Sequence, residues 1–319
     1  MGKEVLILSR KFREQSDFAR EFLEARGCTL AEREFDYPVT EDVLVDIIKD
    51  VDGLITGLEQ ITPRVFAAAN RLKVVSAGGV GYDHVNVDEA NERGVAVCIC
   101  AGCNNYSVSE LVFGMMVGLA RNIYPADRAM RQGEWMRYLG FDLWGKTLGV
   151  VGLGRVGKAV ALLGRAFGMR VLANDIDWDI TFANEHGISY VPYERILDES
   201  DFVTMHVPLT PQTLHMVDES AIERMKPTAY LINCARGPVV KESALVDALK
   251  RNRIAGAALD VFEVEPHPDN PYAGMDNVIL TPHIGGSTQE AFDRAFYLAL
   301  VNVSNVLNGL PAHCQVNQF

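Results

Sequence analysis

Several features that mark special classes of protein are scarce in this sequence. Its 319 residues include six cysteines, which are Cys28, Cys98, Cys100, Cys103, Cys234 and Cys314. They are too few and too scattered for a disulfide framework in a chain of this length, so we expect a reducing, cytoplasmic compartment. Cys98, Cys100 and Cys103 lack a matching pair elsewhere to complete four metal ligands. We expect no metal, and interpret the three as small apolar residues at a strand end and in a loop.

Long apolar runs and an excess of positive charge are also missing. The N-terminus enters a strand-like run at once, and no apolar stretch is long enough to predict a signal peptide or a membrane span. Lys and Arg number 30 against 42 Asp and Glu, a net charge of -12. That charge would repel nucleic acid phosphates and anionic lipids, so we expect neither as a main partner. A small anionic ligand would need local positive charge.

The sequence does contain a repeated alternation of strand-like and helical segments. With 48% hydrophobic and 23% charged residues, it has the composition of an ordinary globular protein, long enough for two domains. Strands at 5–8, 53–56, 73–77 and 95–98, with helices such as 16–26, predict a first parallel sheet. After an apolar helix at 106–121, strands at 148–151, 170–174, 202–205, 229–233, 257–260 and 278–280 predict a second, doubly wound sheet. A last helix at 288–308 is expected to pack back against the first unit.

The clearest motif opens this second alternation. A buried strand runs into Gly152, Gly154 and Gly157 at G-x-G-x-x-G spacing, and the next strand ends at Asp175. The glycines permit a tight turn, close approach of the backbone to a pyrophosphate, and close packing of helix on strand. An ordinary glycine-rich turn can have the same spacing. The carboxylate about 20 residues further along the chain favours a dinucleotide site, because it is placed to bind a ribose. Since no Arg follows Asp175 to bind a 2'-phosphate, the pattern favours NAD over NADP.

Three further segments carry candidate catalytic side chains, and each follows a predicted strand. They contain Arg236, Glu265 and His283. Considered one at a time, Arg236 would be an ordinary surface cation, Glu265 a charged loop residue and His283 a capping residue. Together they supply what reduction of a 2-keto acid needs: a planar cation for the carboxylate, a proton donor for the carbonyl oxygen, and a carboxylate that keeps the donor protonated and oriented.

With these residues in place, the chain resembles the D-2-hydroxyacid dehydrogenase family over nearly its whole length. The resemblance lies in the glycine motif at 149–157, the segments 205–210 and 225–237, and the Arg236, Glu265 and His283 set. It implies a discontinuous substrate domain of flavodoxin-like fold made of residues 1–101 and 288–319, and an NAD-binding Rossmann domain at 102–287. It also implies that the glycine-rich loop at 77–83 binds the substrate carboxylate through its backbone amides.

The resemblance assigns roles position by position. Expected cofactor-binding residues are Gly152, Gly154, Arg155, Val156, Gly157, Asp175, Val207, Cys234, Ala235, Arg236, Asp260, His283 and Gly286. Expected substrate-binding residues are Gly79, Val80, Gly81, Arg236 and His283. For Val207 and Cys234, simple packing at a strand end is an equal alternative. His206 is expected to line the cofactor pocket rather than act as the acid, because it lacks the Glu partner that His283 has.

The resemblance further implies a homodimer. The helix at 106–121 and the arm after it match the family's dimer interface, where Trp135 is expected to reach toward the partner's cleft. The same helix is equally compatible with an ordinary core, so this expectation depends on the resemblance.

For the substrate, we expect a small unphosphorylated 2-keto acid such as hydroxypyruvate or glyoxylate. Family members that act on 3-phosphoglycerate carry Arg in the loop after the strand at 53–56 and before the glycine loop. In those two neighbourhoods this chain reads Thr56-Gly57-Leu58-Glu59 and Ser76-Ala77. Formate-oxidising and phosphite-oxidising relatives carry Gln and Lys where Glu265 and Val80 stand, which disfavours both. Phosphoglycerate remains an alternative substrate, since a basic residue from another loop or the partner chain would be able to bind the phosphate. A non-enzymatic NAD-sensing protein, like the family's corepressor branch, is a further alternative.

Overall fold

The structure is a computed structural model that describes residues 2–267 and 269–319. In this part of the chain the strands are β1 Lys3–Ile7, β2 Cys28–Leu30, β3 Gly53–Thr56, β4 Val74–Ala77, β5 Ala96–Cys98, β6 Thr147–Val151, β7 Arg170–Asn174, β8 Ser189–Tyr190, β9 Phe202–Met205, β10 Tyr230–Asn233, β11 Gly256–Leu259 and β12 Val278–Leu280. The helices are α1 Arg10–Arg13, α2 Ser16–Glu24, α3 Glu41–Ile47, α4 Pro63–Ala68, α5 Val87–Glu92, α6 Asn105–Ala120, α7 Ile123–Arg131, α8 Arg155–Ala166, α9 Ile180–His186, α10 Tyr193–Glu199, α11 Glu219–Arg224, α12 Glu242–Lys250 and α13 Gln289–Leu307. Among the described residues, no helix combines the length and apolar character needed to cross a membrane.

The chain divides into two compact units, each with its own parallel sheet. The first unit comprises Met1–Asn104 and Thr288–Phe319, and the second comprises Asn105–Ser287. Both units are built from alternating strands and helices, which confirms the predicted α/β class.

The first unit has a five-stranded parallel sheet in the order β2-β1-β3-β4-β5, a flavodoxin-like arrangement. Its central strands β3 and β4 are buried on both faces. Alternate residues of β1 serve the two faces: Val5 packs in a core with α2 and α13, and Leu6 in a core with α3, α4 and α5. Because helices cover both faces, these strands read as unbroken apolar runs.

The second unit has a seven-stranded parallel sheet in the order β12-β11-β10-β9-β6-β7-β8. From β6 the chain winds outward through β7 and β8, then returns to β9 on the other side of β6. The point where the winding reverses lies between β6 and β9. In an open parallel sheet, the carboxyl ends at such a point form a crevice in which ligands bind.

Candidate active site

The glycine motif forms the turn between β6 and α8. Gly152 has a φ of 93°, and a Cβ there would lie 2.6 Å from the His206 carbonyl oxygen. A Cβ on Gly157 would lie 1.9 Å from the Gly152 carbonyl oxygen. Gly154 is the N-cap of α8, and a Cβ on it would meet nothing within 4 Å. Two of the glycines therefore allow the turn to close, and the third leaves open space at the helix N-terminus.

Asp175 follows β7 and is joined to this turn. Its Oδ2 accepts a hydrogen bond of 2.5 Å from the Leu153 amide, and its Oδ1 accepts one of 3.2 Å from the Asp177 amide. Trp178 donates through Nε1 to the Asp175 carbonyl oxygen at 2.9 Å. Lys158 is a nearby cation, but its Nζ is paired with Asp179 Oδ2 at 2.5 Å. The edge of the turn thus presents carboxylates, which suits a ribose diol better than a phosphate.

His283 and Glu265 are in direct contact. Glu265 follows β11, His283 follows β12, and the two strands pair in parallel. His283 Nδ1 lies 2.7 Å from Glu265 Oε2, while Glu265 Oε1 accepts a 2.9 Å hydrogen bond from the Phe262 amide. The His283 side chain is half exposed. A carboxylate at this distance stabilises the protonated imidazole and fixes the orientation of the ring.

The turn that carries His283 is built on the buried carboxylate of Asp260. Asp260 is 1% exposed and accepts hydrogen bonds from the Thr281 hydroxyl, the Ile284 amide at 2.8 Å and the Gly285 amide at 2.7 Å. The His283 amide donates to the Asp260 carbonyl oxygen at 2.8 Å, and His283 itself has a φ of 54°. A non-glycine residue in this left-handed conformation needs surrounding support, which Asp260 supplies.

Arg236 follows β10, the strand next to β11. Its turn is shaped by Asn233, which donates through Nδ2 to the Arg236 carbonyl oxygen at 2.9 Å. The neighbouring Gly237 packs against the loop after β11, since a Cβ on Gly237 would lie 1.8 Å from the Phe262 carbonyl oxygen. The segments bearing Arg236 and Glu265 are therefore in close contact.

His206 differs from His283 in its surroundings. It follows β9 beside the glycine turn, and its Nε2 lies 2.9 Å from the Thr204 hydroxyl. Burial lowers the pKa of His206 to about 3. The side chain is therefore neutral near pH 7 and is unsuited to act as an acid there.

The other predicted cofactor residues lie at the same edge of the sheet. Arg155 and Val156 begin α8, Val207 follows His206, Cys234 and Ala235 follow β10, and Gly286 follows the His283 turn. Burial raises the pKa of the Cys234 thiol strongly, so the side chain is a neutral thiol at this position. Among the described residues, no group of three or more His, Cys, Asp or Glu is placed to hold a metal ion.

The predicted substrate loop lies in the first unit, directly after β4. A Cβ on Gly78 would lie 2.7 Å from the Phe12 ring and 3.0 Å from the Thr56 carbonyl oxygen, so the loop is pressed onto its own core. A Cβ on Gly79 would meet nothing within 4 Å. The Gly79 carbonyl oxygen accepts a 2.7 Å hydrogen bond from the Cys100 amide. The loop has the open backbone expected of an anion-binding turn.

Comparison with known proteins identifies the family of this chain. Residues 113–285 match the family model described as "D-isomer specific 2-hydroxyacid dehydrogenase, NAD binding domain". The chain is similar to a glyoxylate reductase of Korarchaeum cryptofilum, with 42% identity over 289 residues, covering 88% of this chain and 87% of the relative. The chain belongs to the D-2-hydroxyacid dehydrogenase family. It is an NAD-dependent oxidoreductase that acts on 2-hydroxy acids.

Other relatives of this D-2-hydroxyacid dehydrogenase agree in fold. A D-3-phosphoglycerate dehydrogenase of Methanocaldococcus jannaschii is 41% identical over 283 residues, which are 88% of this chain and 54% of that protein. The crystal structure of a D-lactate dehydrogenase from Aquifex aeolicus, complexed with NAD and lactic acid, superposes with a TM-score of 0.84 at 29% identity and covers 96% of each chain. The fold prediction and the family resemblance are both confirmed.

The cofactor of this dehydrogenase is NAD, and the residues present fit it. The open space at Gly154 would admit the pyrophosphate to the N-terminus of α8, and Asp175 would present a carboxylate to the ribose. Sequence reasoning did not find the Asp260 anchor, because the hydrogen-bond donors lie 21 to 25 positions further along the chain. It also did not find the Thr204 partner of His206, because a threonine within a strand does not by itself indicate which side chain it contacts.

Proposed function

We propose that this dehydrogenase interconverts a small, unphosphorylated 2-keto acid of the glyoxylate or hydroxypyruvate type with its 2-hydroxy acid. The observation that carries the proposal is the 2.7 Å contact between His283 Nδ1 and Glu265 Oε2, with the imidazole half exposed. The similarity to relatives named glyoxylate reductase supports the substrate class.

His283 is the acid and base in this proposal. Bound NADH supplies the hydride for the keto carbon. Because Glu265 occupies Nδ1, the Nε2 of His283 is the nitrogen that donates a proton to the carbonyl oxygen. The ring is then left neutral, and in the reverse direction it removes the hydroxyl proton. Glu265 stabilises the positive charge of the ring before the proton leaves.

Arg236 of the second unit is the proposed partner of the substrate carboxylate. In the first unit, the proposed substrate-binding groups are the backbone amides of Gly79, Val80 and Gly81. A guanidinium matches a carboxylate with two parallel hydrogen bonds, which fixes both position and orientation. The open backbone at Gly79 supports the role of the loop. We accordingly assign the substrate loop to the first unit, and Arg236, His283 and the NAD-binding residues to the second.

For the cofactor, we propose contacts along the carboxyl edge of the second sheet. The residues are Gly152, Gly154, Arg155, Val156, Gly157, Asp175, Val207, Cys234, Ala235, Arg236, Asp260, His283 and Gly286. Their positions after β6, β7, β9, β10, β11 and β12 support this assignment. For Asp260, whose carboxylate accepts three hydrogen bonds from the loop after β12, the larger contribution is to hold the His283 turn.

A phosphorylated substrate is disfavoured by Glu59. Its Oε2 accepts hydrogen bonds from the Gly57 amide at 2.6 Å and the Thr56 hydroxyl at 3.0 Å, which places a carboxylate at the end of β3. That is the neighbourhood where phosphoglycerate-oxidising relatives carry Arg. A negative charge there repels a substrate phosphate.

The test is an assay of NADH oxidation with a panel of keto acids, on wild type and His283→Ala. We expect turnover of glyoxylate and hydroxypyruvate, and a loss of about 10²–10⁴-fold in kcat in the variant with NADH binding retained. Saturable reduction of NAD with 3-phosphoglycerate, together with no NADH oxidation on the small keto acids, would contradict the substrate assignment. Full activity in His283→Ala would contradict the mechanism.

The proposed assembly is a cytoplasmic homodimer. Large apolar side chains of α6 and of the segment after α7 are exposed in one chain, with Tyr106 at 69%, Trp135 at 78% and Leu139 at 97%. Large exposed apolar side chains are favoured at protein interfaces. The six unpaired cysteines suit a reducing compartment. Light scattering at micromolar concentration should give twice the mass of one chain.

A further inference from the structure

The loop that carries Glu265 is fastened on both sides of that residue. We call residues 262–267 the Glu265 loop. The Glu265 side chain is 35% exposed, and among the described residues its hydrogen-bond partners are the Phe262 amide and His283. Its position therefore depends on what holds the rest of the loop.

Glu242, the first residue of α12, is attached to the loop through two different groups. Its amide donates a 3.0 Å hydrogen bond to Glu263 Oε1, on the near side of Glu265. Its carboxylate Oε2 lies 3.0 Å from His267 Nε2, on the far side. One residue on a regular helix thus connects to the loop two positions before Glu265 and two positions after it.

Further contacts make these attachments specific. The His267 side chain is 14% exposed, and its ring meets the Phe262 ring edge-on with centroids 5.1 Å apart. His215 Nε2 lies 3.0 Å from the same Glu263 oxygen that accepts the Glu242 amide. The His267 and Glu242 pair is more enclosed than the His283 and Glu265 pair it flanks. Partly buried polar pairs of this kind are worth more than exposed ones.

We propose that Glu242 and His267 are positioning residues for the reaction, which hold the Glu265 loop so that the Glu265 carboxylate stays against His283. The inference rests on the proposed acid and base role of His283. With the far attachment lost, the loop gains freedom and Glu265 contacts His283 for less of the time. A displacement of about 1 Å from outside the reacting atoms can lower a rate on the order of 10²-fold.

The first experiment compares Glu242→Ala, His267→Ala and His267→Gln by steady-state kinetics with glyoxylate and NADH. We expect kcat to fall about tenfold in both Ala variants, with the KM for glyoxylate and the Kd for NADH changed less than about twofold. His267→Gln keeps a nitrogen donor at similar reach, so it should restore most of kcat. Equal activity of all three variants and wild type would overturn the proposal.

The second experiment asks whether Glu242 acts through Glu265. In a double-mutant cycle, Glu242→Ala should lower kcat in wild type but should have little further effect in a Glu265→Gln background. Independent, multiplicative losses would mean that Glu242 only stabilises the fold. Glu223→Ala is the matched control: it removes ion pairs to Arg251 and Arg253 in the same unit without touching the Glu265 loop, and its kcat should stay at the wild-type value.

The His283→Ala variant separates failure of this inference from failure of the proposed function. If His283→Ala is inactive while Glu242→Ala and His267→Ala match wild type, the positioning proposal fails alone. If His283→Ala retains full activity, the catalytic role on which the inference depends fails as well.

Discussion

At the scale of single residues, environment separates two histidines that the sequence presents alike. Both His206 and His283 follow a strand of the same sheet. His206 is partly buried beside Thr204 with its pKa lowered to about 3, and His283 is half exposed and paired with Glu265. Of the two, His283 is the one whose ring combines exposure to a ligand with a carboxylate partner.

The lowered pKa of His206 predicts that this residue reduces the free energy of unfolding at acidic pH. Between pH 6.5 and about 3 the unfolded chain binds a proton at this site that the folded chain does not, so stability is full above pH 6.5 and falls on acidification. The loss is at most about 1.4 kcal/mol per pH unit. His206→Gln, which keeps a polar atom near Thr204, should lose about 1–2 kcal/mol less than wild type between pH 7.5 and pH 5.

The measurement is urea unfolding of both proteins at the two pH values. An equal loss of unfolding free energy in the two would show that His206 titrates normally in the folded state.

Residue types at the site were predictable from the sequence, while their supports were not. Arg236, Glu265 and His283 could be named because the chemistry of keto-acid reduction requires those groups after strands. The attachments of the Glu265 loop depend on Glu242, which lies 25 positions before its partner His267. Such contacts follow from how loops pack in three dimensions, and spacing along the chain does not encode them.

At the scale of elements, different glycines of the turn between β6 and α8 serve folding and cofactor binding. Gly157 is required by the turn itself, because a Cβ would lie 1.9 Å from the Gly152 carbonyl oxygen. Gly154 has φ -71° and open space around its Cβ position, so the protein alone does not require glycine there.

This difference predicts opposite results for two alanine substitutions. Gly157→Ala should destabilise the protein by roughly 1–3 kcal/mol through the steric conflict. Gly154→Ala should change stability by no more than about 1 kcal/mol, but should weaken NADH binding on the order of tenfold or more because the added methyl occupies the approach of the pyrophosphate.

Thermal melting without ligand and fluorescence titration with NADH check the two effects separately. If Gly154→Ala binds NADH as tightly as wild type does, the pyrophosphate does not bind at this turn.

Most strands could be predicted from the sequence, and two short edge strands could not. Predicted bounds for β3, β7 and β9 coincide with those observed, because strands buried by helices on both faces are continuous apolar runs. The bounds of the edge strand β12 were also predicted, since Val278–Leu280 is apolar throughout. No apolar pattern indicated β2, Cys28–Leu30, or β8, Ser189–Tyr190. Each is short and pairs with one neighbour at the edge of its sheet, so it needs no apolar pattern.

At the scale of the whole molecule, cofactor binding belongs to one of two compact units. The family's NAD-binding region, residues 113–285, falls inside the second unit, Asn105–Ser287. Each unit has its own buried core around its own sheet. A ligand that binds one folded unit stabilises that unit directly.

Saturation with NADH should therefore protect the second unit most strongly. At a free concentration of 100 times Kd, the added stability is about 2.7 kcal/mol. Hydrogen exchange followed by mass spectrometry should show the greatest slowing in peptides of β6, β7, β9 and α8. Slowing confined to β1 to β5 would contradict the assignment of the cofactor to the second unit.

The buried carboxylate of Asp260 has a consequence for the timing of events at the site. Since it already accepts hydrogen bonds from the Thr281 hydroxyl and from the Ile284 and Gly285 amides, the bend bearing His283 is set while the polypeptide folds. In the proposed mechanism, an arriving substrate would meet an imidazole that needs no rearrangement of its own backbone. Differences in kcat among related acids should then reflect how each acid is oriented in the site, because the position of the proposed proton donor does not change.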